Sequence, residues 1–251
     1  MRKISTLIAS FIFLVTALAQ PVTPGLKISH LTGDFYIFTT YNLYKGVPVP
    51  SNSMYLVTNN GVVMFDTPWD STQFQPLLDS IQTRHHKKVI ICIATHFHED
   101  RTAGLDYYRQ QGISTYTTKM TDSLAAAHNE KRAARLIGKD TVFTVGQYVF
   151  ETWYPGPGHS PDNIIIWFAK QKIIYGGCLI KSEEAKDIGN LSDANLKEWP
   201  ATIRRIQMKC KQPNYIITGH QDWLGKNSLT HTLDLINQQK NKKKNQVTGF
   251  Q

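Results

Sequence analysis

The segment Val89-Ile90-Ile91-Cys92-Ile93-Ala94-Thr95-His96-Phe97-His98-Glu99-Asp100-Arg101 joins two kinds of sequence. Its first six residues are an unbroken apolar run, the pattern of a short strand covered on both faces. The remainder carries two imidazoles two positions apart and a carboxylate two positions further on. In extended backbone, residues i and i+2 point the same way, so His96 and His98 can face one centre while Asp100 enters from the following turn. Imidazole nitrogen and carboxylate oxygen are both donors to Zn²⁺.

A His-x-His pair alone is common by chance, but three other segments repeat the theme. His159 lies in Gly156-Pro157-Gly158-His159-Ser160-Pro161-Asp162-Asn163, Cys178 follows Gly176-Gly177, and His220 ends Thr218-Gly219-His220. Each candidate donor follows glycine or sits in a breaker-rich stretch, where backbone can approach a centre closely.

Around these motifs strand and helix patterns alternate. Leu31–Thr40 and Met54–Phe65 read as strand, the second bent at Asn59-Asn60-Gly61, a hairpin signal. Ser71–Thr83 places Phe74, Leu77, Leu78 and Ile81 at helical spacing. Ala103–Gln111 and Thr121–Leu136 also read as helix. Val142–Pro155, Ile164–Phe168 and Lys172–Leu179 return to strand, followed by helix Leu196–Lys209, strand Tyr215–Thr218 and helix Ser228–Gln238. A weak internal echo links Gly61–Thr67 to Lys172–Cys178, each after a hairpin pattern. Two mixed sheets with helices on their outer faces would account for it: an α/β fold with helix–sheet–sheet–helix layers, αββα.

Composition agrees with one domain. The 251 residues are 41% hydrophobic and 19% charged, too apolar for a disordered chain and long enough to bury a core. Three cysteines cannot make a disulfide scaffold. Residues 1–19 combine Arg2-Lys3, an apolar stretch from Ile4 to Leu18 and the small-x-small end Ala17-Leu18-Ala19, the pattern of a cleaved signal peptide. The domain is then 20–239, and 240–251 is a lysine-rich tail expected to be frayed. Removing Arg2 and Lys3 takes the formal charge from +9 to +7, and setting aside the four tail lysines leaves +3 on the body. With no stripe of basic and aromatic residues, that body is not a nucleic-acid binder. No partner protein or lasting membrane insertion is called for, and a monomer is expected.

The set His96-x-His98-x-Asp100, Gly158-His159-Ser160, Gly176-Gly177-Cys178 and Gly219-His220 resembles the metallo-β-lactamases. Within them it is similar to the subclass with a three-histidine and an Asp-Cys-His zinc site, close to the BlaB-type enzymes of flavobacteria. The likeness runs from the Leu31 strand to the last helix. It implies the αββα sandwich, two Zn²⁺ in a groove at its edge, and hydrolysis of β-lactam antibiotics by a metal-bound hydroxide. It also implies a periplasmic location and a role in antibiotic resistance, with carbapenems among the substrates. His96, His98 and His159 would hold one zinc, and Asp100, Cys178 and His220 the other.

Further roles come from the same resemblance. Lys181 would pair with the substrate carboxylate, Asn190 would donate to the lactam oxygen, and Asp100 would orient the nucleophile besides binding metal. Asp66 and Arg101 would sit beneath the ligands, and Tyr41–Pro50 would form a mobile lid. Plainer readings stand beside these. Cys178 could pack as a small apolar residue or enter a disulfide, Asn190 could serve a Gly-Asn turn, and Trp69 and Trp199 read as core or structural rather than substrate contacts. Another exported hydrolase of the same fold, acting on a lactone, thioester or phosphodiester, is the alternative enzyme. Such relatives usually carry a second histidine after the aspartate and bridge the metals with aspartate. Arg101 and Cys178 depart from both habits. A non-catalytic zinc-binding envelope protein is a third reading.

Overall fold

In the computed structural model, which describes residues 25–248, the apolar runs split their side chains between two layers. Strands β1 (Lys27–Thr32), β2 (Phe35–Tyr44), β3 (Val47–Thr58), β4 (Gly61–Phe65), β5 (Val89–Ile93), β6 (Ser114–Thr118) and β7 (Arg135–Ile137) lie side by side in that order. Strands β8 (Thr141–Val145), β9 (Tyr148–Trp153), β10 (Ile165–Phe168), β11 (Ile173–Gly177) and β12 (Tyr215–Thr218) form a second sheet, ordered β12-β11-β10-β9-β8.

Alternation along a strand sends successive residues to opposite faces. Val63 and Phe65 therefore meet Ile166, Phe168 and Tyr175 between the sheets, with Phe65 edge-on to Phe150 at 5.2 Å and Phe35 edge-on to Phe168 at 4.9 Å. Val62 and Met64 face the other way, onto Phe74, Leu77 and Ile81 of helix α1 (Phe74–His85). Ile165 and Trp167 turn outward onto helices α5 (Trp199–Lys209) and α6 (Ser228–Thr248). Unbroken apolar sequence is thus the signature of strands covered on both faces, and the layers are αββα as expected.

The internal echo is real in topology. The hairpin β3–β4 leads through α1 to β5, parallel to β4, and the hairpin β10–β11 leads through α5 to β12, parallel to β11. Candidate site residues hang from the carboxyl ends of these parallel pairs.

Several boundaries differ from the sequence reading. Gly33 (φ 50°) separates β1 from β2, and Gly146 (φ 56°) separates β8 from β9, so two of the expected strands are hairpins. The expected helix Thr121–Leu136 is helix α4 (Lys119–Ala127) followed by β7. Asn129, in the left-handed region at φ 59°, turns the chain, and parallel pairing with β6 claims Arg135–Ile137. Tyr41–Pro50 is the regular tip of the β2–β3 hairpin, closed by Lys45 and Gly46 at φ 51° and 77°. Helix α6 continues to Thr248 where a frayed tail was expected from Lys240. Adding residues to a nucleated helix costs little, and lysine and glutamine are fair helix formers. The segment 1–19 lies outside the described residues.

Candidate metal centre

Asp66 begins the construction. It follows β4 at φ 63°, is fully buried, and accepts from Thr95 N (2.7 Å), Thr95 Oγ1 (2.8 Å) and Tyr175 Oη (2.6 Å). Burial pushes its carboxyl up to about 6, against Arg101, Tyr175 and Thr95. The residue it grips, Thr95, is the one before His96. From there the chain bends through residues 95–98, reaches an extended His98 (φ −62°, ψ 149°) and turns into the single-turn helix α2 (Glu99–Thr102), followed by α3 (Leu105–Gln110). Helix α2 brings Asp100 and Arg101 back toward the strand ends.

Three ring nitrogens converge. His98 Nδ1 lies 3.1 Å from His96 Nε2 and 3.0 Å from His159 Nε2, with the three rings 79–88° apart. His98 Nε2 is 3.0 Å from Asp193 Oδ2, so the ring proton sits on that side and the Nδ1 lone pair faces inward. Burial holds His96 and His159 well below the ordinary histidine range, His98 adding to it for His96 and Lys181 for His159. Neutral rings are what a cation needs. Nitrogens at 2.0–2.1 Å from a tetrahedral zinc stand roughly 3.3 Å apart, close to the separations here.

A second trio adjoins the first. Cys178 Sγ lies 3.4 Å from Asp100 Oδ2 and 3.3 Å from His220 Nε2, which is itself 3.2 Å from Asp100 Oδ2. His220 Nδ1 donates to Pro50 O at 2.7 Å, leaving Nε2 to face the trio. Against burial, Cys178 and Asp100 raise the His220 ring to about 9, a proton that a metal ion would displace. Asp100 is held well below the usual carboxylate range: burial opposes this, and Arg101 and His220 outweigh it. Beneath the trio lies the fully buried Arg101. Its guanidinium reaches Asp100 (2.9 Å), Cys178 Sγ (3.0 Å), Gly219 O (3.0 Å) and Asn52 O (2.7 Å). Both trios open into one cavity of about 620 Å³.

The model of the Metallo-beta-lactamase superfamily matches residues 46–220, a span that holds all six converging side chains. The chain belongs to the metallo-β-lactamase superfamily. It is 43% identical over 222 residues to a metallo-beta-lactamase type 2 of Elizabethkingia meningoseptica, covering 88% of this chain and 89% of that one. It is 37% identical to metallo-beta-lactamase IND-1 of Chryseobacterium indologenes over 82% of this chain and 87% of the relative. Among solved structures, a metallo-beta-lactamase from Pontibacter korlensis superposes with a TM-score of 0.82 at 34% identity, over 84% of this chain and 99% of that one.

The superfamily scaffold arranges the remaining candidates around the cavity. Lys181 lines it with its ammonium 5.5 Å from the Trp199 ring. Burial lowers its pKa, and Cys178 and Asp100 oppose that. Asn190 lies at the exposed rim of the cavity, where its Oδ1 accepts from Ser192 N at 3.1 Å and its amide NH₂ has no partner among the described residues. Tyr44 and Val49 of the hairpin tip also line the cavity, and Tyr44 is 51% exposed.

Two expectations need correction or narrowing. Trp69, expected to be core or structural, belongs to none of the apolar clusters: it lines the cavity, donates to Glu99 Oε2 at 3.1 Å and stands edge-on to His220. Trp199 is core as expected, donating to Leu179 O at 3.0 Å. Cys178 is a free thiol, like Cys92 and Cys210, so the disulfide reading falls. Sequence reading missed Asp193, Asn52 and Tyr175. Asn52 gave the one available signal, a polar residue that ends up buried inside a strand, donating to Thr218 O and Gln221 O on either side of His220.

Proposed function

We propose that the chain is an exported, zinc-dependent β-lactamase that opens the lactam amide of penicillins and cephalosporins, with carbapenems included. The observation that carries this reading is the pair of unlike donor trios, three imidazoles beside carboxylate, thiolate and imidazole, sharing one cavity. The relatives' names supply the substrate class. His96, His98 and His159 would hold one zinc and Asp100, Cys178 and His220 a second. Bound zinc supplies Lewis acidity and water made acidic enough to attack at neutral pH.

The chain's own groups do the rest. His96, His98 and His159 would hold an ion by three donors only, leaving it reachable from the cavity. Asp100, ionised and braced by Arg101, accepts a hydrogen bond from the attacking water and so orients its lone pair toward the lactam carbon. Lys181, an ammonium on a flexible stem, pairs with the substrate carboxylate as a point charge. The Asn190 amide donates to the lactam oxygen as negative charge gathers there. When the C–N bond breaks, the oxygen of water stays on the acyl carbon and a proton ends on nitrogen. The exposed faces of Tyr44 and Val47 offer apolar cover for the antibiotic side chain. The segment 1–19 supports export to the periplasm, the compartment where β-lactams reach their targets.

The test is hydrolysis of a chromogenic cephalosporin and a carbapenem by the purified chain beginning at Gln20. EDTA abolishes turnover, added zinc restores it, and clavulanate does nothing. Activity that survives EDTA and falls with clavulanate rejects the mechanism.

Lys181→Ala tests the anchor separately. Losing a charge-assisted contact of about 1.5–3 kcal/mol raises KM roughly 10- to 100-fold and leaves kcat nearly unchanged. A fall in kcat at constant KM would remove Lys181 from substrate binding.

A further inference from the structure

The histidines of the centre are aimed in different ways. His98 has its outer nitrogen on Asp193, and His220 has its outer nitrogen on Pro50 O. The outer nitrogen of His159, Nδ1, is buried and has no partner among the described residues. A ring without an outer tether takes its direction from the backbone that carries it. That backbone is the loop Tyr154–Asn163 between β9 and β10, irregular and rich in glycine and proline.

The side chain of Asn163 closes this loop. It is 1% exposed, accepts from Ser160 N at 3.0 Å and donates through Nδ2 to Gly156 O at 3.0 Å. The amide orientation is fixed by its partners, one a donor and the other an acceptor. Ser160 follows His159 directly and Gly156 precedes it by three, so the two bonds bracket the ring-bearing residue. One residue further on, Ile164 N donates to Thr95 O, which ties the bracket to the residue before His96.

The loop is also pinned from outside. Thr202 and Arg205 of α5 take the carbonyls of Pro157 and Pro155, and Asn195 N takes that of Gly158. These contacts hold the loop against α5, where a side chain at position 158 would collide with Leu179 and Trp199. The Asn163 side chain bonds the loop backbone on both sides of His159, beside the Gly158 N–Ser160 O bond (3.1 Å) and the Tyr154 Oη–Pro161 O bond (2.8 Å) that also cross it.

We infer that Asn163 is a positioning residue for the three-histidine site, fixing His159 through the backbone rather than through its ring. This rests on the proposed ligand role of His159. The loss expected from removing such a support is about 10- to 100-fold in metal affinity, confined to one of the two sites. Without the bracket the backbone around His159 keeps the Gly158 N–Ser160 O and Tyr154 Oη–Pro161 O bonds but loses the tie between Gly156 and Ser160, while Asp100, Cys178 and His220 keep Arg101 and Asn52 beneath them.

The experiment is stepwise competition of a chromogenic chelator for zinc with wild type, Asn163→Ala and Asn163→Asp, alongside cobalt-substituted spectra. In both variants the step belonging to the histidine site weakens about 10- to 100-fold. The thiolate-to-cobalt charge-transfer band, which reports Cys178, persists. The aspartate variant keeps the acceptor for Ser160 N but sets a carboxylate against Gly156 O, and its near-isosteric shape preserves folding if the alanine variant is lost. Unchanged competition curves, with only the melting temperature of the chelated protein lowered, would overturn the inference, as would equal weakening of both steps. If the wild-type chain binds metal yet opens no lactam, the proposed reaction falls while the metal readouts still decide the role of Asn163.

Discussion

Cys178→Ser is expected to cut turnover by more than about 100-fold and to remove one equivalent of zinc. The expectation exceeds the 10- to 100-fold that loss of an outer support costs, because a direct donor is removed. The thiol sits 3.4 Å from Asp100 and 3.3 Å from His220. A thiolate bound to a metal carries a full negative charge, whereas serine stays a neutral hydroxyl on a shorter bond. The guanidinium 3.0 Å from Sγ also loses the charge it faces. Metal analysis and initial rates check the result. Cys92→Ser and Cys210→Ser serve as controls, since both thiols lie in the apolar layers and neither faces the cavity. Unchanged metal content and rate in Cys178→Ser would remove Cys178 from the ligand set.

Arg101→Ala is expected to destabilise the fold by about 3–5 kcal/mol, the cost of breaking a buried ion pair by removing one partner. At roughly 2–4 °C per kcal/mol for a chain of this size, melting falls by about 6–20 °C. Arg101 is 0% exposed and faces Asp100, Cys178 and, at 3.7 Å, Asp66, so its loss removes the buried guanidinium from beneath them and leaves Asp100 with the His220 ring, 3.2 Å away, as its remaining cation. A metal ion on the other side of Asp100 and Cys178 supplies part of that charge. The drop is therefore larger in chelated protein than in zinc-loaded protein, and differential scanning calorimetry of both forms measures it. Equal drops would mean that Arg101 acts by packing alone.

Much of this site was legible in the sequence because each trio is made of short contiguous motifs. His96-x-His98-x-Asp100 follows an apolar run whose burial demands a strand, Cys178 and His220 follow glycine at or just beyond a strand end, and His159 follows glycine within the β9–β10 loop. The layers were legible for the same reason, since runs such as Ile164–Phe168 have no polar face to offer water. What escaped depends on meetings across the chain. Asp193 meets His98 from 95 positions away, and Asn52 meets Thr218 from 166. Neither distance leaves a local trace. The helix expected through Leu136 failed because pairing with β6 outweighs local preference there, a contest that no window on the sequence contains.

Each trio draws its members from both halves of the sandwich. His96 and His98 follow β5 and meet His159 from the β9–β10 loop, while Asp100 meets Cys178 and His220 from the ends of β11 and β12. A cation in either trio would act as a rivet across the seam, fastening one sheet to the other where neither backbone ladder reaches. Loss of that cation would then loosen the seam, and a protease would find an opening there before it found one in the apolar layers.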